Sequence, residues 1–153
     1  MLNIFKRKPF SHIQLGRKGE AAAVRLFKAR NCVILARNWR NNNEHDGIGE
    51  LDIVLLDGET LVFAEVKTRR KLDKYLPGTN LSDAQKKRIC RGAHAYCRKH
   101  HVPESVEKRF DLVEVIHDER KIVDIALHEK YMTFSNPMSL NSQTNGDILN
   151  KVY

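Results

Sequence analysis

Two acidic residues and a lysine in the first half of the chain have the side-chain types that hydrolysis of a phosphodiester requires. Asp52 lies in one apolar run, and Glu65 and Lys67 lie in the next, beyond a turn at Gly58 and Glu59. Carboxylate oxygens are the ligands that Mg²⁺ and Mn²⁺ prefer. A lysine beside them could orient or deprotonate a water, or stabilise the charge that develops on a phosphate. This residue set therefore favours metal-dependent hydrolysis.

The two apolar runs are predicted to pair as the antiparallel strands of a hairpin. Pairing across the turn joins Val54 to Phe63 and brings Asp52 opposite Glu65. Because side chains alternate between the faces of a strand, Asp52, Glu65 and Lys67 are expected to project from one side. Opposed carboxylates about 5 Å apart at Cβ repel each other unless a cation or a proton neutralises them. The hairpin therefore predicts a divalent metal site at Asp52 and Glu65.

Two further groups of the hairpin are candidates for the same site. The Val66 carbonyl could supply another oxygen ligand. Glu50 is predicted to lie opposite Lys67, where it would be either a metal ligand or the partner of Lys67 in a structural ion pair. An exposed ion pair would contribute little stability. The residue pattern leaves both roles of Glu50 open.

Basic segments flank this acidic hairpin. The net charge is +8, and residues 1–30 carry eight Lys or Arg residues and one acidic residue, whereas residues 61–100 carry eleven and three. Positive surface around carboxylates suits a polyanion that is held by its phosphates. Scattered solvated lysines are the alternative explanation. We expect DNA as the partner, with RNA as an alternative because no residue pattern indicates recognition of the 2′-OH.

The elements that must position these residues are predicted to form one α/β domain over residues 1–134. The spacing of apolar residues after Ser11 predicts a helix to about Arg30, and a capping box at Ser82 predicts a second helix to about His100. The order of helix, three strands, helix and two strands favours a central mixed sheet flanked by helices. Strands are predicted over 32–39, 49–56, 61–69, 108–116 and 122–127.

The segments between and after these elements are polar. Residues 40–47 read as a turn-rich loop, 71–80 as a candidate mobile loop, and 135–153 as a disordered tail. On the second helix, Lys86 and Lys87 lie near the N-terminus, where backbone donors favour anions. The exposed side of that helix is predicted to carry six basic residues: Lys86, Lys87, Arg88, Arg91, Arg98 and Lys99.

Cysteine usage and hydropathy indicate a cytoplasmic protein without a membrane partner. Cys32, Cys90 and Cys97 lack the spacing of metal ligands, and we expect reduced thiols that pack in the core. The basic N-terminus lacks the apolar run of a signal peptide. No segment approaches the roughly 20 apolar residues that a membrane-spanning helix needs.

Five blocks of the sequence resemble those of the YraN-like family of small bacterial proteins. The resemblance covers residues 12–128. That family is similar to the restriction-endonuclease-like superfamily and, within it, to the archaeal Holliday-junction resolvases. The blocks are Gly16-x-x-Gly-Glu20-x-x-Ala, Ala36-Arg-Asn-Trp-Arg40, Gly49-Glu-Leu-Asp-Ile53, Phe63-Ala-Glu-Val-Lys-Thr-Arg69 and Arg109-Phe-Asp-Leu-Val113.

The resemblance implies a restriction-endonuclease-like core and a catalytic set of Glu20, Asp52, Glu65 and Lys67. Glu20 is added by the resemblance alone, as a third residue on the metal side with Asp52 and Glu65. A resolvase-type activity also implies a symmetric homodimer, which would place two sites on two strands. The predicted nucleic-acid contacts are Arg17, Lys18, Arg40, Arg69, Lys86 and Lys87.

Two classes of function follow from these observations. The first is a Mg²⁺- or Mn²⁺-dependent endonuclease that hydrolyses DNA, including branched or damaged DNA. The second is a nucleic-acid-binding accessory module that keeps a nuclease-like fold with little or no turnover, since a fold does not by itself specify a function. The set of Asp52, Glu65 and Lys67 favours the nuclease, because a binding module has no need to hold opposed carboxylates.

Overall fold

A computed structural model describes residues 11–41, 49–71, 81–118 and 121–133. The predicted tail at 135–153 and most of the two predicted loops, 40–47 and 71–80, lie outside the described residues. The two predicted helices are confirmed, and the last strand extends beyond its predicted end at residue 127. In chain order the elements are α1 (His12–Ala29), β1 (Val33–Arg40), β2 (Glu50–Asp57), β3 (Thr60–Arg70), α2 (Asp83–Lys99), β4 (Lys108–His117) and β5 (Ile122–Met132).

The strands form one five-stranded mixed sheet in the order β1-β2-β3-β4-β5. All neighbouring pairs are antiparallel except β3 and β4, which run parallel. A parallel pair needs a crossover connection, and α2 lies in that connection. The predicted α/β class, with a mixed sheet flanked by helices, is therefore confirmed. Within the described ranges, no helix is long and apolar enough to cross a membrane.

Both helices begin with a capping box. The Ser11 hydroxyl accepts from the Gln14 backbone N–H while the Gln14 side chain accepts from the Ser11 N–H, and Ser82 and Gln85 repeat the arrangement on α2. These reciprocal bonds satisfy backbone donors that have no partner inside the helix. Each helix start is thus fixed by local sequence, as predicted at Ser11 and Ser82.

The helices cover opposite faces of the sheet and bury two apolar clusters. Cys32 packs in the cluster on the α1 side and Cys90 in the cluster on the α2 side, which confirms the packing predicted for both, and none of the three cysteines is in a disulfide. The α1-side cluster is Ala22, Ala23, Val24, Phe27, Cys32, Ile53, Leu55, Val62, Ala64, Val113 and Val115. The α2-side cluster is Leu51, Val54, Leu61, Phe63, Leu81, Ile89, Cys90, Ala93, Tyr96 and Phe110.

The predicted hairpin register is confirmed near the turn, but the two strands part before they reach the acidic pair. The ladder between β2 and β3 runs from Asp57 and Thr60 to Ile53 and Ala64. Beyond that point β2 stays paired with β1 as far as Glu50, and β3 stays paired with β4 to its end. The ladder does not include Asp52 and Glu65. We call this divergence of β2 from β3 the fork.

The strict alternation expected for Asp52 also breaks at the fork. Leu51 and Val54, three residues apart, pack in the same cluster, so the facing of side chains shifts between them. On β1 the neighbouring residue Asn38 has φ 49°, a left-handed conformation that Asn tolerates better than most residues. This irregularity is the physical reason that period-two reasoning does not hold across Asp52.

Opposite ends of the hairpin are fixed by different contacts. At the turn end, Arg109 of β4 donates from Nη2 to Asp57 at 2.8 Å and from Nε to the buried Asp111 at 2.9 Å. At the fork end, a Cβ on Gly49 would lie 2.5 Å from the Cα and N of Gly92 on α2. Only glycine fits so close to another backbone, and this contact holds α2 against the start of β2.

We therefore expect Gly49→Ala to destabilise the domain by about 2 kcal/mol or more, because the added methyl overlaps the α2 backbone. Urea denaturation gives the free energy of unfolding. Gly16→Ala is the matched control: nothing lies within 4 Å of its Cβ position in α1, so it is expected to stabilise by up to about 1 kcal/mol through helix propensity. Equal unfolding free energies for wild type and Gly49→Ala would contradict the close approach.

Candidate functional site

An open cleft of about 250 Å³ lies at the fork. Both helices and both strands of the hairpin contribute to it, so side chains from the two faces of the sheet meet where the strands part. All four residues of the predicted catalytic set line this cleft. Its described lining residues are His12, Leu15, Gly16, Glu20, Glu50, Asp52, Glu65, Val66, Lys67, Thr68, Arg70 and Arg88.

Asp52 reaches across the fork toward β3. Its Oδ2 accepts a hydrogen bond from the Val66 backbone N–H at 2.8 Å. The side chain thus bonds a main-chain donor in the region where the β2–β3 ladder has ended. A backbone donor away from water needs a partner, and Asp52 supplies one while remaining part of the cleft wall.

Glu65 and Lys67 face the cleft from β3 as an ion pair. The Lys67 Nζ lies 2.8 Å from Glu65 Oε1, and the Glu65 residue is only 5% exposed. Two residues apart on one strand, they lie on the same face, as predicted. One Glu65 oxygen is therefore neutralised locally, and the nearly complete burial of this carboxylate depends on that partner.

The cleft holds more negative charge than its ion pair balances. Burial and the nearby Glu65 carboxylate raise the pKa of Asp52 to about 7, and Glu20 adds to the shift, whereas the Val66 hydrogen bond and Lys67 oppose it. The ionised form of Asp52 is thus disfavoured at neutral pH. A cation in the cleft would favour that ionised form.

Glu20 enters the cleft from α1 because this helix lies against β3. A Cβ on Gly19 would sit 1.7 Å from Thr68 Oγ1, so glycine permits the close approach. The Asn38 side-chain amide donates to Glu20 Oε2 at 3.0 Å. Asn38, the residue of β1 with the left-handed conformation, therefore also orients Glu20, which only the family resemblance had indicated.

Glu50 does not follow its predicted pairing. It was expected opposite Lys67, but among the described residues its partners are two arginines. Arg40 donates from Nε at 3.0 Å and from Nη2, and the Arg88 Nη1 lies 3.9 Å away. Lys67 bonds Glu65 instead. The physical reason is the fork, because the ladder that would bring Glu50 opposite Lys67 has ended.

All six predicted nucleic-acid contacts are described, and none of them lines the cleft. Arg17 and Lys18 are exposed on α1, and Arg40 is exposed on β1. Lys86 and Lys87 lie half-buried in the first turns of α2, and Arg69 lines a neighbouring cavity beside Lys67. Their role in binding stays a prediction.

The basic residues of the cleft other than Lys67 were missed by sequence reasoning. Arg70 and Arg88 line it, with His12 beside them. Arg88 was assigned to the exposed side of the second helix, but its side chain is 38% exposed and turns toward Glu50. The signal that could have found it is Gly92, four residues later on the same helical face, where α2 touches β2.

The donor set fits a small hard cation without forming a closed cage. Among residues 11–41, 49–71, 81–118 and 121–133, no group of three or more His, Cys, Asp or Glu side chains is placed to hold a metal ion. Glu20 is therefore not gathered with Asp52 and Glu65 into such a group. Mg²⁺ keeps several waters and is commonly bound by one or two carboxylates, so the pair Asp52 and Glu65 stays the predicted ligand set.

Comparison with known proteins identifies the family. Residues 19–115 match the uncharacterised protein family UPF0102. The chain belongs to the UPF0102 family. This match confirms the resemblance to YraN-like proteins. The family span begins beside Glu20 and includes Asp52, Glu65, Lys67 and Arg88, whereas β5 lies beyond it.

Relatives in the UPF0102 family occur in several bacteria. A UPF0102 protein of Paenarthrobacter aurescens is 41% identical over 102 residues, which cover 67% of this chain and 79% of that protein. A UPF0102 protein of Prosthecochloris aestuarii is 38% identical over 103 residues, 67% of this chain and 76% of that protein. Another, from Solibacter usitatus, is 39% identical over 112 residues, 72% of this chain and 79% of that protein.

The raised pKa of Asp52 predicts a stability difference that depends on pH. Between about pH 4 and 7 the Asp52 carboxyl group is protonated in the folded state and ionised in the unfolded state. The free energy of unfolding contributed by Asp52 therefore falls as pH rises through that window. We expect Asp52→Asn to be more stable than wild type at pH 8, by on the order of 2 kcal/mol, and nearly equal to it at about pH 4.

Urea titrations at several pH values measure this difference. Asp57→Asn is a control of opposite sign, since the hydrogen bond from Arg109 lowers the pKa of Asp57. Its stabilisation is present above the unfolded pKa and is lost as pH falls, so this variant should be less stable than wild type at pH 8. A constant offset between Asp52→Asn and wild type at every pH would contradict the buried charge at Asp52.

Proposed function

We propose that this protein is a metal-dependent nuclease that hydrolyses phosphodiester bonds of DNA, including branched or damaged DNA. The observation that carries the proposal is the convergence of Asp52, Glu65, Lys67 and Glu20 on one open cleft. Burial and the neighbouring carboxylates of Glu65 and Glu20 raise the pKa of Asp52 to about 7. Such an arrangement costs stability, so a role other than folding explains it best.

Asp52 and Glu65 would hold Mg²⁺ or Mn²⁺, with the Val66 carbonyl as a further oxygen. When bound, the cation would supply Lewis-acid activation of the phosphate and of the attacking water. Asp52 donates no hydrogen bond when ionised, so both of its oxygens accept, and one already accepts from Val66. Proton release from Asp52 would accompany binding, because a ligand carboxylate must be ionised.

Lys67 would contribute the positive charge at the scissile phosphate. Its Nζ bonds one Glu65 oxygen, and this bond holds the ammonium inside the cleft rather than in solvent. An ammonium has three donors, so Lys67 keeps donors for a phosphate oxygen or a water while it remains on Glu65. Glu20 would act from the α1 side of the cleft, where it bonds Asn38.

The charge distribution supports a nucleic-acid substrate. The chain carries a net charge of +8, and the predicted contacts on α1 and α2 lie on the two helices that border the cleft. The sequence blocks resemble the YraN-like family, which is similar to the restriction-endonuclease-like superfamily and the archaeal Holliday-junction resolvases. That similarity supports DNA as the substrate and, by analogy, a homodimer. RNA is the alternative substrate. A cytoplasmic location fits this substrate and the reduced cysteines.

A nucleic-acid-binding accessory module is the second candidate. Two observations favour it: Lys67 already neutralises one Glu65 oxygen, and the described residues gather no three-residue metal cluster. A cleft of this kind could hold a phosphate without cutting it. Metal binding and cleavage separate the two functions.

Metal binding is expected to raise the melting temperature at pH 8. At about 100-fold excess over its Kd, a cation would stabilise the protein by about 2.7 kcal/mol, which corresponds to several degrees in a domain of this size. Asp52→Asn and Glu65→Gln should lose the Mn²⁺-dependent shift. Glu59→Gln, at the exposed hairpin turn, is the control and should respond like wild type. An unchanged shift in Glu65→Gln would exclude the assigned ligands.

Cleavage is tested with labelled single-stranded, duplex, flapped and four-way-junction DNA in Mn²⁺, Mg²⁺ or EDTA. We expect cleavage that needs the cation and falls by about 10²-fold or more in Lys67→Gln, because the charge that faces the phosphate is removed. Asp52→Asn and Glu65→Gln should be at least as impaired.

The matched controls are Glu59→Gln for the carboxylates and Lys28→Gln, on the exposed last turn of α1, for Lys67. Both should cleave like wild type. Cation-dependent binding without cutting across the whole panel would rule out the simple nuclease and favour the accessory module. Cleavage that persists in Asp52→Asn and Glu65→Gln would place the activity elsewhere.

A further inference from the structure

Arg88 is a cleft residue whose hydrogen-bonding capacity is only partly used. It projects from α2 into the cleft, and its Nη1 lies 3.9 Å from Glu50 Oε2, a loose ion pair. Its Nε–H is buried and has no acceptor among the residues that the structure describes. Buried donors without an acceptor are uncommon in folded proteins, and this one shows that the described residues do not saturate the Arg88 guanidinium.

Glu50 leaves hydrogen-bond donors of Arg88 unused because its close hydrogen bonds are with Arg40. Arg40 donates to Glu50 Oε1 from two nitrogens, one of them at 3.0 Å, whereas Arg88 approaches only the second oxygen. The carboxylate thus holds Arg88 by charge but leaves most of its five N–H donors available. Glu50 orients the guanidinium without occupying it.

Backbone packing fixes the point from which Arg88 projects. Gly92, one helical turn after Arg88, touches the Glu50 backbone so closely that a Cβ there would lie 3.1 Å from the Glu50 N. Residues four apart share a helical face, so Arg88 is held over the same strand end as Gly92. The packing of α2 on β2 therefore fixes the backbone from which Arg88 projects, and the Glu50 carboxylate orients the guanidinium.

The geometry points to Arg88 as the residue that binds a backbone phosphate of nucleic acid in this cleft, with Glu50 as its positioning residue. The assignment rests on the proposed function for its choice of ligand. A planar guanidinium matches two phosphate oxygens at once, which an ammonium does not. Lys67 approaches the cleft from β3, so Arg88 adds a second, separate phosphate contact on the α2 side.

Binding without turnover tests this assignment separately from the nuclease. The probe is a fluorescent single-stranded oligonucleotide of about 12 nucleotides, followed by anisotropy in EDTA, where no divalent cation supports cleavage. We expect Arg88→Gln to weaken binding about tenfold or more. Arg91→Gln removes the same charge from an exposed position of α2 and should weaken it about twofold at most.

Arg88→Lys keeps the charge and separates recognition from electrostatics. It should bind between wild type and Arg88→Gln, because a lysine lacks the paired donors. Melting temperatures show which variants are folded, and if Arg88→Gln unfolds, Arg88→Lys decides. Three results would each overturn the assignment. They are equal affinities of Arg88→Gln and Arg91→Gln, a wild-type affinity of Arg88→Lys, and no oligonucleotide binding by the wild-type protein.

Competition distinguishes a nucleic-acid phosphate from free phosphate. A dinucleotide with a single phosphodiester should displace the oligonucleotide from wild type more effectively than inorganic phosphate does. The reverse order would assign the site to free phosphate and overturn the inference. The proposed nuclease fails by a different result, the absence of cation-dependent cleavage, which leaves an Arg88 phosphate contact intact as part of a binding module.

Discussion

The fork between β2 and β3 is the constraint on which the site depends. Up to Ile53 and Ala64 the strands bond each other, and beyond that each bonds only its outer neighbour. Two strands that separate expose main-chain donors between them, and the Asp52 carboxylate accepts one of these, the Val66 N–H. One hydrogen bond therefore fills the gap in the sheet and fixes an acidic side chain at its centre.

The cost of this arrangement is electrostatic. Burial and two neighbouring carboxylates raise the pKa of Asp52 to about 7, so the ionised cleft opposes folding at neutral pH. The surrounding packing compensates: two apolar clusters cover the sheet, and glycine contacts hold both helices against it. The domain thus tolerates a group of carboxylates whose mutual repulsion falls when Asp52 holds a proton.

The features that were predicted from the sequence are those that local residue patterns control. The apolar spacing after Ser11 and the capping box at Ser82 located the helices, and the turn at Gly58 set the hairpin register as far as Ile53 and Ala64. The sequence did not predict the fork, because the left-handed residue Asn38 and the α2 contact at Gly92 act from elements distant in the chain. The same distance explains the misplaced partner of Glu50. Residue type and spacing grouped Asp52 with Glu65, and only the family resemblance indicated Glu20; all three line the cleft.

The two ends of the hairpin differ in a way that governs the width of the cleft. At the turn end of the hairpin, Arg109 bonds both Asp57 and Asp111. Five residue pairs connect β2 to β3. Asp52 is carried by the part of the sheet formed by β1 and β2, and Glu65 by the part formed by β3, β4 and β5. The distance between the two carboxylates therefore depends on how these two parts of the sheet twist relative to each other about the short β2–β3 ladder. A small change in this twist would therefore change the distance between Asp52 and Glu65 across the cleft.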